Sequence, residues 1–340
     1  MTEPRTLTLA EIETLSQRAL EAHGASPEGA RSIARAIALA EASGNAICGM
    51  HYVHKICDQL EAGAVDGRVK PVVVKTGQPA RLVVDVRHGF AHRAFDLRLP
   101  DLVEAAEKYG VATLALKHSY NALDLGQFAE RIAEAGMIGI AFSSSPAAVA
   151  HPGMSKKLFG TNPFAYAVPG TDGEPELVVD MSTSAVTKNA IVLKAAAGET
   201  LEPGVAVDRA GQPTTDPKIA LEDGAILAFG GHKGAAISLL VELLGAVLTG
   251  SSLSKDAGMF VGKSGKRPDI GQFFIALDPG GAAGEGFDVR LGALGRAIAE
   301  AGGRLPGERR FEKRTQAEKT GVQVKAEIVA EVEALGGGPH

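Results

Sequence analysis

Two polar segments that contain glycine interrupt otherwise apolar stretches of the chain: Gly160–Pro163 (GTNP) and Gly230–Gly234 (GGHKG). Glycine lets a backbone approach a ligand closely, and His232 and Lys233 supply a hydrogen-bond donor and a positive charge. The second segment leads into the helix pattern of residues 235–248. Because the first N–H groups of a helix are free and its dipole is positive there, this segment favours an anion site. Taken alone, it is equally typical of a glycine-rich turn with a capping histidine.

The two segments belong to an ordered series of five motifs. The series is GTNP at 160–163, VVDMSTS at 178–184, PTTDP at 213–217, GGHKG at 230–234 and LPGERR at 305–310. From about Leu9 to about Leu335, the chain resembles the type 2 malate/L-lactate dehydrogenase family. That family includes Δ1-piperideine-2-carboxylate/Δ1-pyrroline-2-carboxylate reductases, ureidoglycolate dehydrogenases and sulfolactate dehydrogenases. GTNP alone is a weak signal, whereas five motifs in one order are specific.

The resemblance implies an NAD(P)-dependent oxidoreductase and, by position, a set of residues that contact ligands. The cofactor, NADPH or NADH, is expected near His118, Ser119, Tyr120, Asn121, Ala122, Asp180, Met181, Ser182, Gly231, His232, Lys233, Arg304, Pro306, Gly307 and Arg310. The substrate is expected near Tyr120, Thr161, Lys188 and Asn189. An arginine in the 304–310 segment suits a phosphate because its guanidinium donates paired hydrogen bonds. Outside this context, Arg309 and Arg310 would indicate only a solvated surface.

The chain departs from the family at the residues that transfer the proton. Relatives carry Ser-His-Gly after the second helix, with the histidine as proton donor, and an arginine one turn later for the substrate carboxylate. Here the segment is Ile47-Cys48-Gly49, and Tyr52 stands in place of the arginine. A hydroxyl is no substitute for a guanidinium as a paired donor. The candidate proton donors are Cys48, His51 and Tyr52, with a small buried apolar role as the alternative for Cys48.

Two further positions differ from the family pattern. Tyr120 stands where relatives often have a histidine, with His118 two residues earlier. A solvent-capping histidine and a half-buried tyrosine are the alternative interpretation of that loop. Ala190 stands where imine reductases of the family carry an acidic residue and many hydroxy-acid enzymes carry a lysine. Lys188 is a candidate for the missing positive charge, although a solvated surface lysine fits equally well.

Composition restricts the class of protein. The chain has 340 residues, 45% hydrophobic and 22% charged, with a formal net charge of −5. These values are typical of a soluble globular protein and indicate neither nucleic-acid binding nor a membrane span. Cys48 and Cys57 are the only cysteines and lack metal-ligand spacing, and His51 and His54 lie one helical turn apart without a third ligand nearby in sequence. We expect a cytoplasmic protein without a metal.

The apolar patterns predict a mixed α/β (α+β) fold. A capping box at Thr8 and Glu11 starts the first helix, and Pro27 occupies the first position of the second. Strands are expected at 72–74, 82–84, 111–116, 137–143, 177–180 and 270–277. A third helix with Val53, Ile56 and Leu60 is expected to end at Gly63, and further helices are expected at 91–109 with a kink or break at Pro100, 125–135, 289–301 and 324–335. No Gly-x-Gly-x-x-Gly follows the first strand, so a Rossmann domain is not supported.

The resemblance implies a different architecture. A large, mainly antiparallel sheet domain that binds NAD(P)H is expected over residues 76–284. A helical domain is expected from both termini, residues 1–75 together with 285–340. The resemblance also implies a homodimer, with the active site near the junction of domains and subunits.

These observations predict an NAD(P)H-dependent reductase of a C=N bond next to a carboxylate, in a cyclic 2-imino acid such as Δ1-pyrroline-2-carboxylate. A protonated imine carries its own proton, so it depends less on a strong general acid than a ketone does. One alternative is a 2-hydroxy acid/2-oxo acid dehydrogenase of the malate, lactate, sulfolactate or ureidoglycolate type, with Cys48, His51 or His118 as a relocated acid/base. Another is a catalytically silent nucleotide-binding homologue. A metal-dependent lyase or hydrolase is the least supported alternative.

Overall fold

A computed structural model describes residues 3–171, 173–283 and 286–337 of the chain. Its helices, α1 to α12 in chain order, are Leu9–Ala22, Pro27–Ala42, Val53–Glu61, Ala91–Tyr109, Gly126–Glu134, Lys188–Ala197, Pro217–Glu222, His232–Glu242, Pro279–Ala283, Phe287–Glu300, Glu308–Thr320 and Ala326–Leu335. Its strands, β1 to β12, are Arg5–Leu7, Val72–Val74, Arg81–Asp85, Val111–Ser119, Ile138–Ser143, Val149–Ala150, Phe164–Pro169, Pro175–Met181, Ala206–Val207, Ala225–Leu227, Ile270–Leu277 and Val322–Val324. A 3₁₀ turn, Met50–Tyr52, precedes α3, and a π-helical segment, Leu243–Val247, follows α8.

The central layer is a seven-stranded sheet in the order β2-β3-β4-β11-β5-β7-β8. Among these described strands, five of the six neighbouring pairs are antiparallel, and β3 and β4 form the parallel pair. β11 takes the middle position because its nearly continuous apolar sequence can be buried on both faces. The prediction of a mixed α/β fold with a large, mainly antiparallel sheet is confirmed.

Both faces of the sheet are covered by helices. On one face, Phe95 of α4 and Phe128 of α5 pack against Phe274 of β11, with ring centroids 5.0 and 5.3 Å away. On the other face, Val241 of α8 packs against Phe273 of β11. β8 is the edge strand on the side of β7. The carboxyl end of β8 is therefore free to meet loops and a ligand.

The two ends of the chain are joined. β1 pairs antiparallel with β12, which brings the first and last helices together. The predicted capping box starts α1, because the Thr8 N–H donates to the Glu11 carboxylate at 2.7 Å and the Thr8 hydroxyl accepts in return. α1, α2, α3 and α12 bury one apolar cluster that includes Ile12, Ile37 and Val329. Helices from both termini thus share a core.

Most of the predicted elements lie where the sequence places them, and three of the differences are informative. α4 continues through Pro100, which lies on the exposed side of the helix, where water can bond the carbonyl that loses its partner. β2 pairs with β3 in the main sheet, although the expected boundary at residue 75 assigns it to the helical part. α11 was not predicted, because Phe311 and Ala317 are its only apolar residues and give too weak a helical period.

A second, three-stranded sheet in the order β6-β10-β9 leads into α8. β10 ends at Leu227, the GGHKG segment follows, and α8 begins at His232. α10 packs loosely and has no buried side chain. Within the described ranges, none of the helices is long and apolar enough to cross a membrane.

Candidate active site

A cavity of about 510 Å³ lies at the carboxyl end of β8. Four chain segments line it: Ser43, Asn45, Ile47 and Cys48 after α2; Leu123 and Asp124 before α5; Val178, Asp180, Met181, Ser182 and Thr187 from β8 to α6; and Gly307, Arg309, Arg310 and Lys313 at the start of α11. Its size is that of a pocket for a small ligand or cofactor. Six of the predicted site residues meet here: Cys48, Asp180, Met181, Ser182, Gly307 and Arg310.

A tight turn after α2 brings Cys48 to the cavity. The Cys48 N–H donates to the Asn45 carbonyl at 3.0 Å, and the Met50 N–H donates to the Glu41 carboxylate at 2.8 Å. Gly49 permits this arrangement, since a Cβ at that position would lie 2.2 Å from Glu41 Oε1. The chain therefore keeps the glycine of the family pattern even though the residues before it differ.

The Cys48 side chain is half-buried and remains protonated at neutral pH. Burial, with the negative charges of Asp124 and Asp180, raises the pKa of Cys48 to about 12. A thiol of that pKa is a weak proton donor near neutrality, because general acids act best with a pKa close to the working pH.

Two carboxyl groups, Asp124 and Asp180, lie beside Cys48. The Asp124 side chain is buried, and its Oδ2 accepts from Asn45 Nδ2 at 3.1 Å and from the Arg310 guanidinium. Asp180 is open to the cavity, and its Oδ2 accepts from the Gly126 N–H at 2.7 Å.

The two carboxyl groups have opposite pKa shifts. Burial opposes ionisation of Asp124, but the charge and hydrogen bonds of Arg310 outweigh it and lower the pKa of that carboxyl. Loss of bulk water, together with the charge of Asp124, raises the pKa of Asp180 well above its ordinary value. Such a divergence is typical of two carboxyl groups that share one site.

Two arginines of α11 attach that helix to α5 and to the end of α2. Arg310 pairs with Asp124, and Arg314 contacts both oxygens of Glu130, with an Nη2–Oε2 distance of 2.8 Å. Arg314 Nε also donates to Ser43 Oγ at 2.8 Å. The buried carboxylates require these partners, because an unpaired buried charge is strongly unfavourable. Arg310, predicted to contact the cofactor, therefore lies at the cavity but bonds to protein carboxylates.

The turn before α11 and the first residues of that helix bring exposed positive charges to the cavity. The Val178 N–H of β8 donates to the Pro306 carbonyl at 3.0 Å. Gly307 follows with a φ of 102°, and a Cβ there would lie 2.9 Å from the Val178 nitrogen, so the turn requires glycine. Arg309 and Lys313 come next on α11 and are exposed at the cavity. Positive side chains at the start of a helix favour an anionic ligand.

The GTNP segment lies beside the cavity and is fixed by a buried network. The Thr161 carbonyl accepts from Ser182 Oγ at 3.0 Å, and Ser182 lines the cavity. Asn162, in the left-handed region at a φ of 37°, donates its side-chain amide to Glu242 at 2.8 Å. Glu242 also accepts from the Ser254 N–H at 2.8 Å. This network holds Thr161, a predicted substrate residue, next to the pocket.

The GGHKG segment forms the start of α8, as predicted. Gly230 and Gly231 have φ values of 58° and 62° and line a second cavity of about 410 Å³. His232 and Lys233 are exposed in the first turn of the helix. Segment 182–187 contributes residues to both cavities, so it separates the GGHKG turn from the Cys48 cavity.

The loop at residues 118–122 does not line the Cys48 cavity. Its hydrogen bonds join His118 Nδ1 to Asp269 (2.8 Å), Ser119 Oγ to Gln272 (2.7 Å), the Tyr120 hydroxyl to the Phe260 carbonyl (2.9 Å) and Asn121 Nδ2 to the Tyr52 hydroxyl (2.9 Å). Ala122 is buried in the main core. Ser119 ends β4, so the alternation of the strand turns it inward. In this structure the loop supports the fold, and its contacts with ligands remain a prediction.

Two of the three candidate proton donors do not line the cavity. His51 packs edge-on against His54 with ring centroids 5.5 Å apart, and burial and the charges of Lys55 and His54 lower its pKa. Tyr52 is buried in the helical core, and burial raises its pKa. Of the three candidates, the structure thus brings Cys48 to the cavity.

The substrate residues predicted on α6 lie at the edge of the site. Thr187 lines the cavity and caps α6 by accepting from the Ala190 N–H at 3.1 Å. Lys188 is exposed in the first turn, and the Asn189 side chain lies outside the described residues. Arg304 is exposed in the turn before α11 and does not line the cavity.

Several cavity residues were not predicted from the sequence, among them Asn45, Asp124, Arg309 and Lys313. Asp124 did carry a signal, because it interrupts the apolar run from Ala122 to Leu125 and a buried carboxylate requires a partner. The partner, Arg310, lies on α11, the helix without a clear apolar period. In the parts of the chain that the structure describes, no three His, Cys, Asp or Glu side chains are placed to hold a metal ion.

Comparisons with known proteins identify the family. Residues 7–333 match the family model for malate/L-lactate dehydrogenase. The chain is 38% identical over 340 residues to a Δ1-pyrroline-2-carboxylate reductase of Ancylobacter novellus, with 99% of each chain covered. It is 37% identical over 307 residues to a (2R)-3-sulfolactate dehydrogenase (NADP(+)) of Chromohalobacter salexigens, with 90% and 91% covered. The crystal structure of Δ1-piperideine-2-carboxylate reductase from Pseudomonas syringae pvar. tomato matches with a TM-score of 0.92 at 35% identity, covering 97% of this chain and 99% of that one.

The family match includes all five ordered motifs, and the solved relative shares the fold over nearly the whole chain. The family resemblance seen in the sequence is thereby confirmed. The chain belongs to the malate/L-lactate dehydrogenase family.

Proposed function

We propose that the protein is an NAD(P)H-dependent reductase of a C=N bond next to a carboxylate, in a cyclic 2-imino acid such as Δ1-pyrroline-2-carboxylate. Relatives 38% and 35% identical over nearly the whole chain are reductases of this class by name. The observation that carries the proposal is the Cys48 cavity, which joins the segment at the family's proton-donor position to segments matched to the cofactor. Its described lining residues include no histidine. A cyclic imine suits such a site because its nitrogen is more basic than a ketone oxygen and therefore depends less on a strong general acid.

The cavity residues fit the cofactor of this family. When bound, NAD(P)H supplies the hydride for the substrate carbon. Arg309 and Lys313 offer exposed positive charges, and Ser182 offers a hydroxyl. Thr187 and Gly307 mark the starts of α6 and α11, where helix dipoles favour phosphate groups. We infer a non-Rossmann cofactor site.

The position of the cavity also bears on the domain division. Its lining comes partly from residues 43–48 and 307–313 and partly from residues 123–187. This supports a site at the junction of a helical domain, 1–75 with 285–340, and a sheet domain, 76–284.

The negative charge of the substrate carboxylate calls for a positive partner. Tyr52 stands in place of the family arginine and is buried, so another residue has to supply that charge. Lys188 follows the cavity residue Thr187 directly and is exposed, so its flexible side chain is our proposed partner. Thr161 is the proposed neutral donor, since its backbone already contacts Ser182.

The second candidate function is a 2-hydroxy acid dehydrogenase. It is favoured by the 37% identity to a relative named as a sulfolactate dehydrogenase. Of the relocated acid/base candidates for that reaction, Cys48 is the one at the cavity, and its raised pKa of about 12 disfavours the role.

The deciding experiment is a comparison of substrates. NADPH and NADH oxidation is followed by absorbance with Δ1-pyrroline-2-carboxylate, Δ1-piperideine-2-carboxylate, pyruvate with and without methylamine, and oxaloacetate; sulfolactate oxidation is followed with NADP⁺ and NAD⁺. We expect the highest kcat/KM with the cyclic imines, and activity that survives Cys48→Ala. Faster turnover of pyruvate, oxaloacetate or sulfolactate contradicts the proposal. Cofactor binding without any turnover favours the silent homologue.

We further propose a cytoplasmic homodimer. Leu239, Leu240, Leu243 and Val247 form an exposed apolar stripe at helical spacing. The stripe lies on the outer face of α8 and of the π-helical segment that follows it. Exposed apolar patches of this kind mark association surfaces. The two cysteines are free thiols, which supports a reducing compartment.

A further inference from the structure

Asp124 has an acceptor atom without a donor. Its side chain is fully buried, at 0% exposure, and no N–H or O–H group in the described part of the chain bonds to Oδ1. Its other oxygen accepts from Asn45 and Arg310. Buried polar atoms in folded proteins nearly always have a partner, so a missing donor requires an explanation.

The group that faces Asp124 is the carboxyl of Asp180, which lies near enough for a hydrogen bond between the two side chains when one of them is protonated. Gly126 allows the close approach, because a Cβ there would lie 2.9 Å from Asp180 Cβ and 3.2 Å from Asp124 Oδ1. A hydrogen bond between two carboxyl groups needs a proton on one of them. Arg310 stabilises the charge on Asp124, so Asp180 carries the proton and is the missing donor.

We propose that Asp180 is the general acid of this site and that Asp124 is a positioning residue that keeps Asp180 protonated. This inference rests on the proposed reduction of a cyclic imine. Asp180 lines the same cavity as Cys48 and is open to it, so its carboxyl can contact a bound substrate. It provides the function that the histidine of the family pattern would otherwise have at position 48.

The O–H bond of Asp180 breaks, and an N–H bond forms at the imine nitrogen as the electron pair of the C=N π bond moves to that nitrogen. The imine carbon gains a hydride, for which NAD(P)H is the two-electron reductant. The product is a secondary amine, and Asp180 is left ionised beside Asp124 and Arg310. A proton from water restores the acid.

The charged and titratable groups around Asp180 all belong to the cavity. Asp124 and Arg310 are its direct neighbours, and Cys48 is close enough for its pKa to respond to the charge of Asp180. Arg309 and Lys313 line the same cavity. The negative neighbour favours the protonated form and the cations oppose it. Removal of Asp124 therefore makes Asp180 a stronger acid that loses its proton at lower pH.

The first test compares two substrates in the wild type, Asp180→Asn and the control Asp256→Asn, an exposed carboxyl beside Lys255. One substrate is Δ1-pyrroline-2-carboxylate, and the other is its N-methyl iminium, which needs no proton. We expect Asp180→Asn to lose about 100-fold in kcat/KM on the first substrate, the usual contribution of a general acid, and far less on the second. Equal losses on both substrates overturn the proposal.

The second test needs neither substrate nor cofactor. Carboxyl carbons of ¹³C-labelled aspartate in the apo protein are titrated by NMR. We expect one group that titrates well above the ordinary range, disappears in Asp180→Asn and moves to lower pH in Asp124→Asn. If no such group exists, or if Asp124→Asn leaves it unmoved, the assignment is wrong.

The two tests separate the inference from the proposed function. A wild type inactive on both imines refutes the imine reductase, whereas the titration still decides whether Asp180 holds the proton. If the wild type reduces both imines but Asp180 titrates in the ordinary range, the imine reductase stands and the general-acid role of Asp180 is refuted.

Discussion

Gly49 determines whether Cys48 can face the cavity. A methyl group at this position would displace the buried Glu41 carboxylate, which accepts from the Met50 N–H. We expect Gly49→Ala to lower the free energy of unfolding by about 1–3 kcal/mol, the cost of leaving a buried hydrogen-bonding group unpaired. Urea denaturation of the apo protein measures it. Gly292→Ala is the control, because a Cβ in that α10 position meets only Arg296 at 3.5 Å. A loss no greater than that of the control would contradict the proposed role of Gly49.

Arg309 and Arg310 are adjacent, yet their surroundings assign them different roles. Arg310 bonds to Asp124, whereas Arg309 is exposed at the cavity. We expect Arg309→Gln to weaken NADPH binding and to lower its dependence on salt, because one charge opposite the cofactor phosphates is lost. Stability should be unchanged, since exposed charges contribute little.

Fluorescence titration with NADPH at several salt concentrations measures this effect. The exposed Arg209, in the loop after β9, gives the control Arg209→Gln. If both variants bind NADPH as the wild type does, α11 does not contribute Arg309 to the cofactor site.

At the scale of elements, α11 is held by ion pairs of Arg310 and Arg314 in addition to the apolar contacts of Phe311 and Ala317. Arg310→Gln leaves Asp124 buried without its cation, and we expect a loss of about 3–5 kcal/mol at neutral pH. The lowered pKa of Asp124 gives the sign of the pH effect. Its ionised form stabilises the fold above its unfolded pKa of about 3.9, and this contribution disappears as the pH falls through the folded pKa.

Chemical denaturation of the wild type and of Arg310→Gln across this pH range is the measurement. The difference in stability should be largest at neutral pH and should narrow below about pH 4. A difference that stays constant with pH would mean that Arg310 stabilises the fold by packing alone.

The elements that could be predicted from sequence are those with a strong local signal. The Thr8 capping box, Pro27 and the apolar run of β11 each specify a helix start or a buried strand through neighbouring residues. α11 could not be predicted, because its position depends on Arg310 and Arg314 pairing with carboxylates about 185 residues away in sequence.

The residues of the site divide in the same way. Asp180, Ser182 and Gly307 were identified through motifs that the family shares. Asp124 and Lys313 were not identified. The role of Asp124 depends on its pairing with Arg310, and that of Lys313 on a cavity that exists only in the folded chain. Tyr120 is the converse case: its side chain is buried and bonds to the Phe260 carbonyl, so its contact with a ligand stays a prediction.

At the scale of the whole molecule, the outer face of α8 is the strongest candidate for a contact between subunits. Leu240 and Leu243 are 46% and 45% exposed and lie within an apolar stripe on one face of the helix. The inner face carries Glu242, which fixes the GTNP segment through Asn162. A dimer contact on the outer face would therefore stabilise the helix that holds the GTNP segment in place.

We expect the wild type to have twice the chain mass of 35.1 kDa in solution. Leu240→Asp with Leu243→Asp should give monomers, because two carboxylates cannot be buried without partners in an apolar interface. Size-exclusion chromatography with light scattering measures the mass. Leu97→Asp on α4, a leucine that is 51% exposed, is the matched control and should remain dimeric.

A monomeric wild type rules out the homodimer, and a double variant that stays dimeric shows that the interface does not lie on α8. If the monomeric variant also has a raised KM for the imine, the dimer contact and the GTNP segment are coupled through α8.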